Sequence, residues 1–262
     1  MPAQRSRDAH ARLVLVPRSA AARIRCAALR LSRQGQSSDE DLPLTIPELA
    51  GYLEGIMDEL ALPTVHVMGI SYGGFVAAEF ARLCPQRTAT LALSGILLGR
   101  ETLFDMYQAI SLAFYERGRD TFGLYTQYMY EKIFGERFVS KIKDGLEPMR
   151  QRFLERYQDR VHSLVQLTLA QNPYFAATDA DPMLYRAIEA PTMIIAGEHD
   201  RVIPPWVQKK ITRQVKQARF VVFPSCGHVV YIEEPDAFFG TLTRFMREGR
   251  SECEVVLPAP GE

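Results

Sequence analysis

Three residues of this 262-residue chain combine a reactive type with a setting that suits chemistry: Ser71, Asp200 and His228. Ser71 lies in Gly69-Ile70-Ser71-Tyr72-Gly73-Gly74, Asp200 in Gly197-Glu198-His199-Asp200, and His228 in Cys226-Gly227-His228. A serine hydroxyl is a weak nucleophile at its own pKa. A neighbouring imidazole that takes its proton during attack makes it a strong one, and a carboxylate that orients the imidazole also stabilises the imidazolium. The expected chemistry is attack of Ser71 on a carbonyl carbon, with His228 as base and Asp200 as its partner. Each has a plainer reading as a turn serine, a loop histidine or a solvated acid, and Glu198 is a second nearby carboxylate. The other histidines read more simply. His66 sits in a strand-like run, His199 faces solvent, and His10 and His162 have no motif around them.

The elements that must hold these groups follow from pattern. Thr64 to Ile70 is β-branched and apolar, as a short buried strand is, and Phe75 to Ala81 forms a helix. A serine on so sharp a strand-to-helix turn needs small residues around it, because helix and strand approach closely there. The positive end of the following helix then favours negative charge developing at the serine. Upstream, Thr45-Ile46-Pro47-Glu48 reads as a capped helix start. That helix runs to about Leu60, with Leu49, Tyr52, Leu53, Ile56, Met57 and Leu60 on its apolar face. Further strands are expected at Thr88–Leu98, Pro191–Gly197 and Arg219–Pro224, and helices at Pro205–Val215 and Ala237–Met246. Strands alternating with helices at this spacing predict a mostly parallel sheet with crossover helices. Asp200 and His228 both follow a strand, so they belong to the same sheet edge as Ser71.

Residues 100–185 break the alternation. They are helical in pattern and aromatic-rich (Phe104, Tyr107, Phe114, Tyr115, Phe122, Tyr125, Tyr128, Tyr130, Phe134, Phe138). The expectation is an inserted helical cap between core segments 34–99 and 186–247. Most rings should pack the cap itself, and the set as a whole should line an apolar pocket. The tail, 248–262, is expected to be flexible.

Composition narrows the partners. Lysine plus arginine and aspartate plus glutamate are both 31, a formal net charge of zero, which argues against nucleic acid or an acidic membrane surface. Cys26, Cys84, Cys226 and Cys253 have no metal-type spacing, so free packing thiols in a reducing cytoplasm are expected. No apolar run approaches the roughly 20 residues of a membrane span. Residues 1–33 differ from the rest: arginines at 5, 7, 12, 18, 23, 25, 30 and 33, no lysine, no glycine, and Asp8 as the single acid. A targeting leader fits this composition, as does an irregular N-terminus with a strand at Arg12–Pro17. A start misassigned or read out of frame ahead of Gln34 accounts best for the abrupt change there.

Taken in chain order, the three loops resemble those of the α/β-hydrolase superfamily over residues 34–247. Gly69–Gly74 is similar to its nucleophile elbow, Gly197–Pro204 to its acid loop and Cys226–Pro235 to its histidine loop. The resemblance implies a Ser71–Asp200–His228 triad and an oxyanion hole using the Tyr72 N–H. Because some members carry the acid after an earlier strand, Glu101 and Asp105 become further rivals to Asp200. The family's second oxyanion donor comes from a His-Gly-type loop upstream, and residues 1–33 hold no such motif. In the family pattern Asp-x-x-Gly-x-Gly-x-Ser, Arg30 and Arg33 stand where the Asp and first Gly would be. The implied function is hydrolysis of an ester or thioester with an apolar acyl part, a small-molecule substrate, and neither metal nor organic cofactor. Acyl transfer to an alcohol or thioester acceptor is the second expectation, and an inactive remnant of the fold the third. C–C bond hydrolases and cofactor-free haloperoxidases share the same motifs.

Overall fold

The computed structural model describes residues 13–17, 27–29 and 45–249. Among these residues six strands form one sheet in the order β2-β1-β3-β4-β5-β6: β1 (Leu13–Pro17), β2 (Ala27–Leu29), β3 (Val65–Ile70), β4 (Thr88–Ser94), β5 (Thr192–Gly197) and β6 (Ala218–Phe223). Strands β3 to β6 are parallel and adjacent in sequence order, with Gly69 opposite Leu93 and Ile194 opposite Phe220. Their alternation with helices produces this arrangement, as the spacing predicts. The β1 strand falls inside the Arg12–Pro17 candidate and runs antiparallel to both β2 and β3.

Helix α1 (Ile46–Glu59) starts with a reciprocal cap: the Thr45 N–H donates to Glu48 Oε2 at 2.7 Å, and the Glu48 N–H donates to Thr45 Oγ1 at 3.4 Å. Such a box satisfies two otherwise orphaned donors and stabilises a helix by about 1 kcal/mol. The buried face corrects the expectation. Ile46, Leu49, Ala50, Leu53 and Met57 are buried, whereas Tyr52 and Leu60 are exposed. Helix α2 (Tyr72–Leu83) is buried from Tyr72 through Ala81, an all-round burial that fits a helix wedged between sheet and neighbours.

Between β4 and β5 the chain makes six helices: α3 (Thr102–Glu116), α4 (Arg119–Ile133), α5 (Glu136–Lys141), α6 (Lys143–Tyr157), α7 (Val161–Leu169) and α8 (Asn172–Ala180). A two-residue link, Arg117-Gly118, makes α3 and α4 an antiparallel hairpin. The expected single helix at Pro205–Val215 is two short ones, α9 (Pro205–Gln208) and α10 (Ile211–Gln214). After the one-turn α11 (Val230–Glu233), helix α12 (Pro235–Glu248) packs Phe238 against Phe223 of β6, centroids 6.3 Å apart. The strand expected to reach Leu98 stops at Ser94, where Gly95 turns the chain at φ 63°, yet Ile96, Leu97 and Leu98 stay buried. An apolar run does not distinguish a strand from a buried loop. Among the described residues, no helix is long and apolar enough to cross a membrane.

Candidate active site

The site is built at the C-terminal ends of the parallel strands. Ser71 follows β3 directly and caps α2 with φ 51° and ψ −124°, a positive-φ geometry rare for a residue with a side chain. The close packing anticipated there is real. A Cβ on Gly69 would stand 2.3 Å from Gly73 O and 2.7 Å from Ala77 Cβ, so only glycine lets α2 sit against β3. The Ser71 N–H donates to Ser94 O at 2.8 Å, which fixes the elbow to β4.

Asp200 and His228 come to this edge from β5 and β6. His228 Nε2 is 3.0 Å from Ser71 Oγ, and His228 Nδ1 is 2.8 Å from Asp200 Oδ2. Both partners of the Asp200–His228 contact are buried, Asp200 3% and His228 4% exposed. An ionised carboxylate only accepts, so Nδ1 carries the proton and Nε2 is left to accept the Ser71 hydroxyl proton. Asp200 is fully used: Oδ1 accepts the N–H groups of Val202 and Ile203, both at 2.9 Å, and Oδ2 also accepts Gln208 Nε2 at 3.0 Å.

The rival carboxylates are committed elsewhere. Glu198 accepts the Ser225 N–H at 2.8 Å, Glu101 pairs with Lys210 at 2.6 Å, and Asp105 pairs with Arg100 at 3.2 Å. His199 is largely exposed beside Glu198, and His66 Nδ1 meets Thr90 Oγ1 at 2.9 Å. His10 lies outside the described residues. Burial pushes the Cys226 thiol up to about 12 and the Cys84 thiol up to about 11, so both stay protonated near neutral pH, as packing cysteines do. Cys26 and Cys253 lie outside the described residues. Tyr72 occupies the first position of α2, where the helix leaves its N–H groups without intrahelical acceptors. Of residues 1–33, where the family's second oxyanion donor is expected, all but 13–17 and 27–29 lie outside the described residues.

Two residues to which the sequence assigned no role hold the site together. Gln208, fully buried in α9, donates to Asp200 Oδ2 and to Ile203 O (2.7 Å) and accepts the Gly95 N–H (3.0 Å). Nothing local in Pro205-Trp206-Val207-Gln208 signals this. Glu233 accepts the Gly227 N–H at 2.9 Å and the Gly135 N–H at 3.1 Å. Burial is the largest influence on its carboxyl and pushes it up to about 7. It sits within the histidine-loop motif, which is the signal that could have found it.

A cavity of about 170 Å³ opens on Ser71 and His228. Of the ten aromatic residues singled out in the helical segment, Phe104, Tyr107, Tyr115 and Tyr125 line it. The other six do not line it; Phe122 and Phe134, for example, are completely buried in the packing. Phe153, Ser111 and Gln171 line the cavity and carried no sequence signal. Among the described residues no cluster of side chains suits a metal ion.

Comparison with known proteins bears on this arrangement. The model of the alpha/beta hydrolase family matches residues 6–241, so the match reaches upstream of residue 34. A 2-hydroxy-6-oxononadienedioate/2-hydroxy-6-oxononatrienedioate hydrolase of Cupriavidus pinatubonensis is 30% identical over 199 residues, covering 74% of this chain and 66% of its own length. This chain therefore spans just under two thirds of that relative. Among solved structures, a thermophilic esterase from Thermogutta terrifontis superposes with TM-score 0.69 at 25% identity, covering 86% of this chain and 80% of that one. An alpha/beta hydrolase enzyme from a Medee basin deep-sea metagenome library reaches TM-score 0.74 at 22% identity, covering 88% and 82%.

Proposed function

The chain belongs to the alpha/beta hydrolase family, and on that premise we propose that it is a serine hydrolase cleaving an ester or thioester whose acyl part is largely apolar. The observation that carries the reading is the continuous hydrogen-bonded path Ser71 Oγ–His228 Nε2 and His228 Nδ1–Asp200 Oδ2, at 3.0 and 2.8 Å. In this reading Ser71 Oγ attacks the acyl carbon while its proton passes to Nε2. The imidazolium, held against Asp200, then protonates the leaving alcohol or thiol as the carbon–oxygen or carbon–sulfur bond breaks. Water attacks the acyl-enzyme, again losing its proton to Nε2, and the acid leaves with Ser71 restored. Negative charge on the tetrahedral oxygen meets the Tyr72 N–H and the positive end of α2. We read α3–α8 as a cap that supplies apolar cavity wall from Phe104, Met129, Phe153, Leu164 and Leu167.

The test is labelling of the 262-residue chain by a fluorophosphonate probe, with Ser71→Ala as control. Labelling that depends on Ser71 supports the reading, and a folded protein that takes no label overturns it in favour of an inactive remnant. Product analysis with and without an added acceptor alcohol separates hydrolysis from acyl transfer.

The name of the Cupriavidus relative favours a second reading, hydrolysis of a 2-hydroxy-6-oxo-dienedioate in place of an ester. In that reading His228 and Asp200 keep the same roles. Turnover of such a dienedioate, with no turnover of simple esters, would select it.

A further inference from the structure

Besides Ser71 and His228, the hydroxyl-bearing side chains of Tyr107, Ser111, Tyr115 and Tyr125 line a cavity wall that is otherwise mostly apolar. Helix α3 turns Phe104, Tyr107, Gln108, Ser111 and Tyr115 into its wall, a stripe at three- and four-residue steps, and α4 adds Tyr125, Met129 and Ile133. Both helices are anchored at the Ser71 end. The Phe104 ring is 6.4 Å from Phe75, which is itself 6.4 Å from Tyr72, and Ile133 O accepts the His228 N–H at 2.7 Å. At 1.5 Å rise per residue, Ser111 stands about 10 Å along α3 from Phe104, and Tyr125 about 12 Å back along α4 from Ile133. Two antiparallel rulers thus put hydroxyls at the same remote end.

Tyr125 is the centre of this group. Its hydroxyl accepts from the Tyr115 hydroxyl at 2.6 Å and also interacts with the side chains of Tyr107 and Ser111, while Ser111 Oγ donates to the main-chain carbonyl of Tyr107 at 2.9 Å. Burial, the largest influence on each, holds the phenols of Tyr107, Tyr115 and Tyr125 above their ordinary value, so they stay neutral donors and acceptors. The described lining residues include no lysine or arginine.

We propose that the cavity takes an acyl chain of medium length bearing a neutral hydroxyl at its far end, bound by Tyr107, Ser111, Tyr115 and Tyr125. This specificity rests on the serine-hydrolase reading and adds the substrate class to it. A hydroxyl donates and accepts at once, which suits a cluster of rotatable O–H groups. A methyl terminus leaves those groups no new partner, and a carboxylate would be buried opposite neutral oxygens at a large desolvation cost.

The experiment compares kcat/KM for the p-nitrophenyl esters of octanoate, ω-hydroxyoctanoate and the mono-ester of the corresponding dicarboxylate. The expected order is hydroxyl over methyl by about fivefold, the scale of one neutral hydrogen bond, with the carboxylate slowest. Tyr125→Phe should bring the hydroxyl-to-methyl ratio towards one, and Ser111→Ala, a smaller change to the packing, should lower it as well. Equal or reversed preference in the unmodified protein overturns the inference, as does a ratio that survives both substitutions. Calorimetry on the Ser71→Ala protein with ω-hydroxyoctanamide against octanamide reads the same preference without turnover. Tighter binding of the hydroxyamide with no ester cleaved by the unmodified protein would sink the hydrolase reading and keep the cavity's specificity. Ester cleavage with no preference in either assay would do the opposite.

Discussion

Gln208 Nε2 lies 3.0 Å from Asp200 Oδ2, the same carboxylate oxygen that faces His228 Nδ1 at 2.8 Å. The amide is saturated, since its second donor goes to Ile203 O and its oxygen accepts the Gly95 N–H. One side chain therefore ties the loops after β4 and β5 to the carboxylate proposed as the acid. In Gln208→Leu three buried groups lose a partner, at about 1–3 kcal/mol each where the site does not relax. The expected outcome is a lower melting temperature and a kcat reduced about tenfold or more with KM little changed, measured by steady-state kinetics. A KM increase at constant kcat would show that Gln208 shapes the cavity rather than orienting Asp200.

Asp200→Asn should cost far more. An amide at this position favours the wrong imidazole tautomer, an effect worth about 10⁴ in kcat in a comparable triad. Glu198→Gln and Asp105→Asn, whose carboxylates are engaged with Ser225 and Arg100, should stay within a few-fold of the unmodified rate. If either of these hurts more than Asp200→Asn in the same assay, the acid is misassigned.

Gly95→Ala tests the space left for the imidazole. An added Cβ would stand 2.6 Å from His228 Cε1 and 2.9 Å from Nδ1, at a backbone φ of 63°. The expected result is displacement of the ring, a loss of most activity, and destabilisation on the order of 1–3 kcal/mol from the strained backbone. Urea unfolding and kcat on the same preparation check both parts.

Much of this was legible because it is local. The elbow needs small residues near Ser71, the capping box is a four-residue pattern, and each buried strand is a short apolar run. The three loops that carry Ser71, Asp200 and His228 could be placed on one sheet edge from strand order alone. The face of α1 was less legible. Large apolar residues at 52, 56 and 60 mimic a stripe, but α1 packs where Ala50 is small and buried, which leaves Tyr52 and Leu60 outside. The break between α9 and α10 has no glycine or proline at Lys209-Lys210 to announce it. The polar wall residues Ser111 and Gln171 read as surface positions in one dimension, and only the helix arrangement turns them inward.

Glu233 should leave a signature in the pH dependence of stability. Its carboxyl is pushed up to about 7 in the folded chain from a reference of 4.5, chiefly by burial. Between those values the unfolded chain releases the proton while the folded chain keeps it, so the contribution of this group falls as pH rises through the window. Across that window, unmodified protein should lose more stability than Glu233→Gln, by on the order of 1–3 kcal/mol. Urea midpoints for both proteins from acidic to mildly alkaline pH give the comparison. Parallel slopes would place the titration elsewhere.

The histidine loop is fastened to the junction between α4 and α5 as well as to the loop after β5. The His228 N–H donates to Ile133 O, and Glu233 holds the Gly227 and Gly135 N–H groups side by side. A Cβ on Gly227 would meet Ile133 O at 2.5 Å and Gly135 N at 2.6 Å, so the two backbones touch without slack. Residues 133–135 thus act as a door jamb and not as part of the door. Any swing of the overlying helices that carried them along would drag the imidazole off Ser71, so traffic into the cavity has to pass while that post stands still.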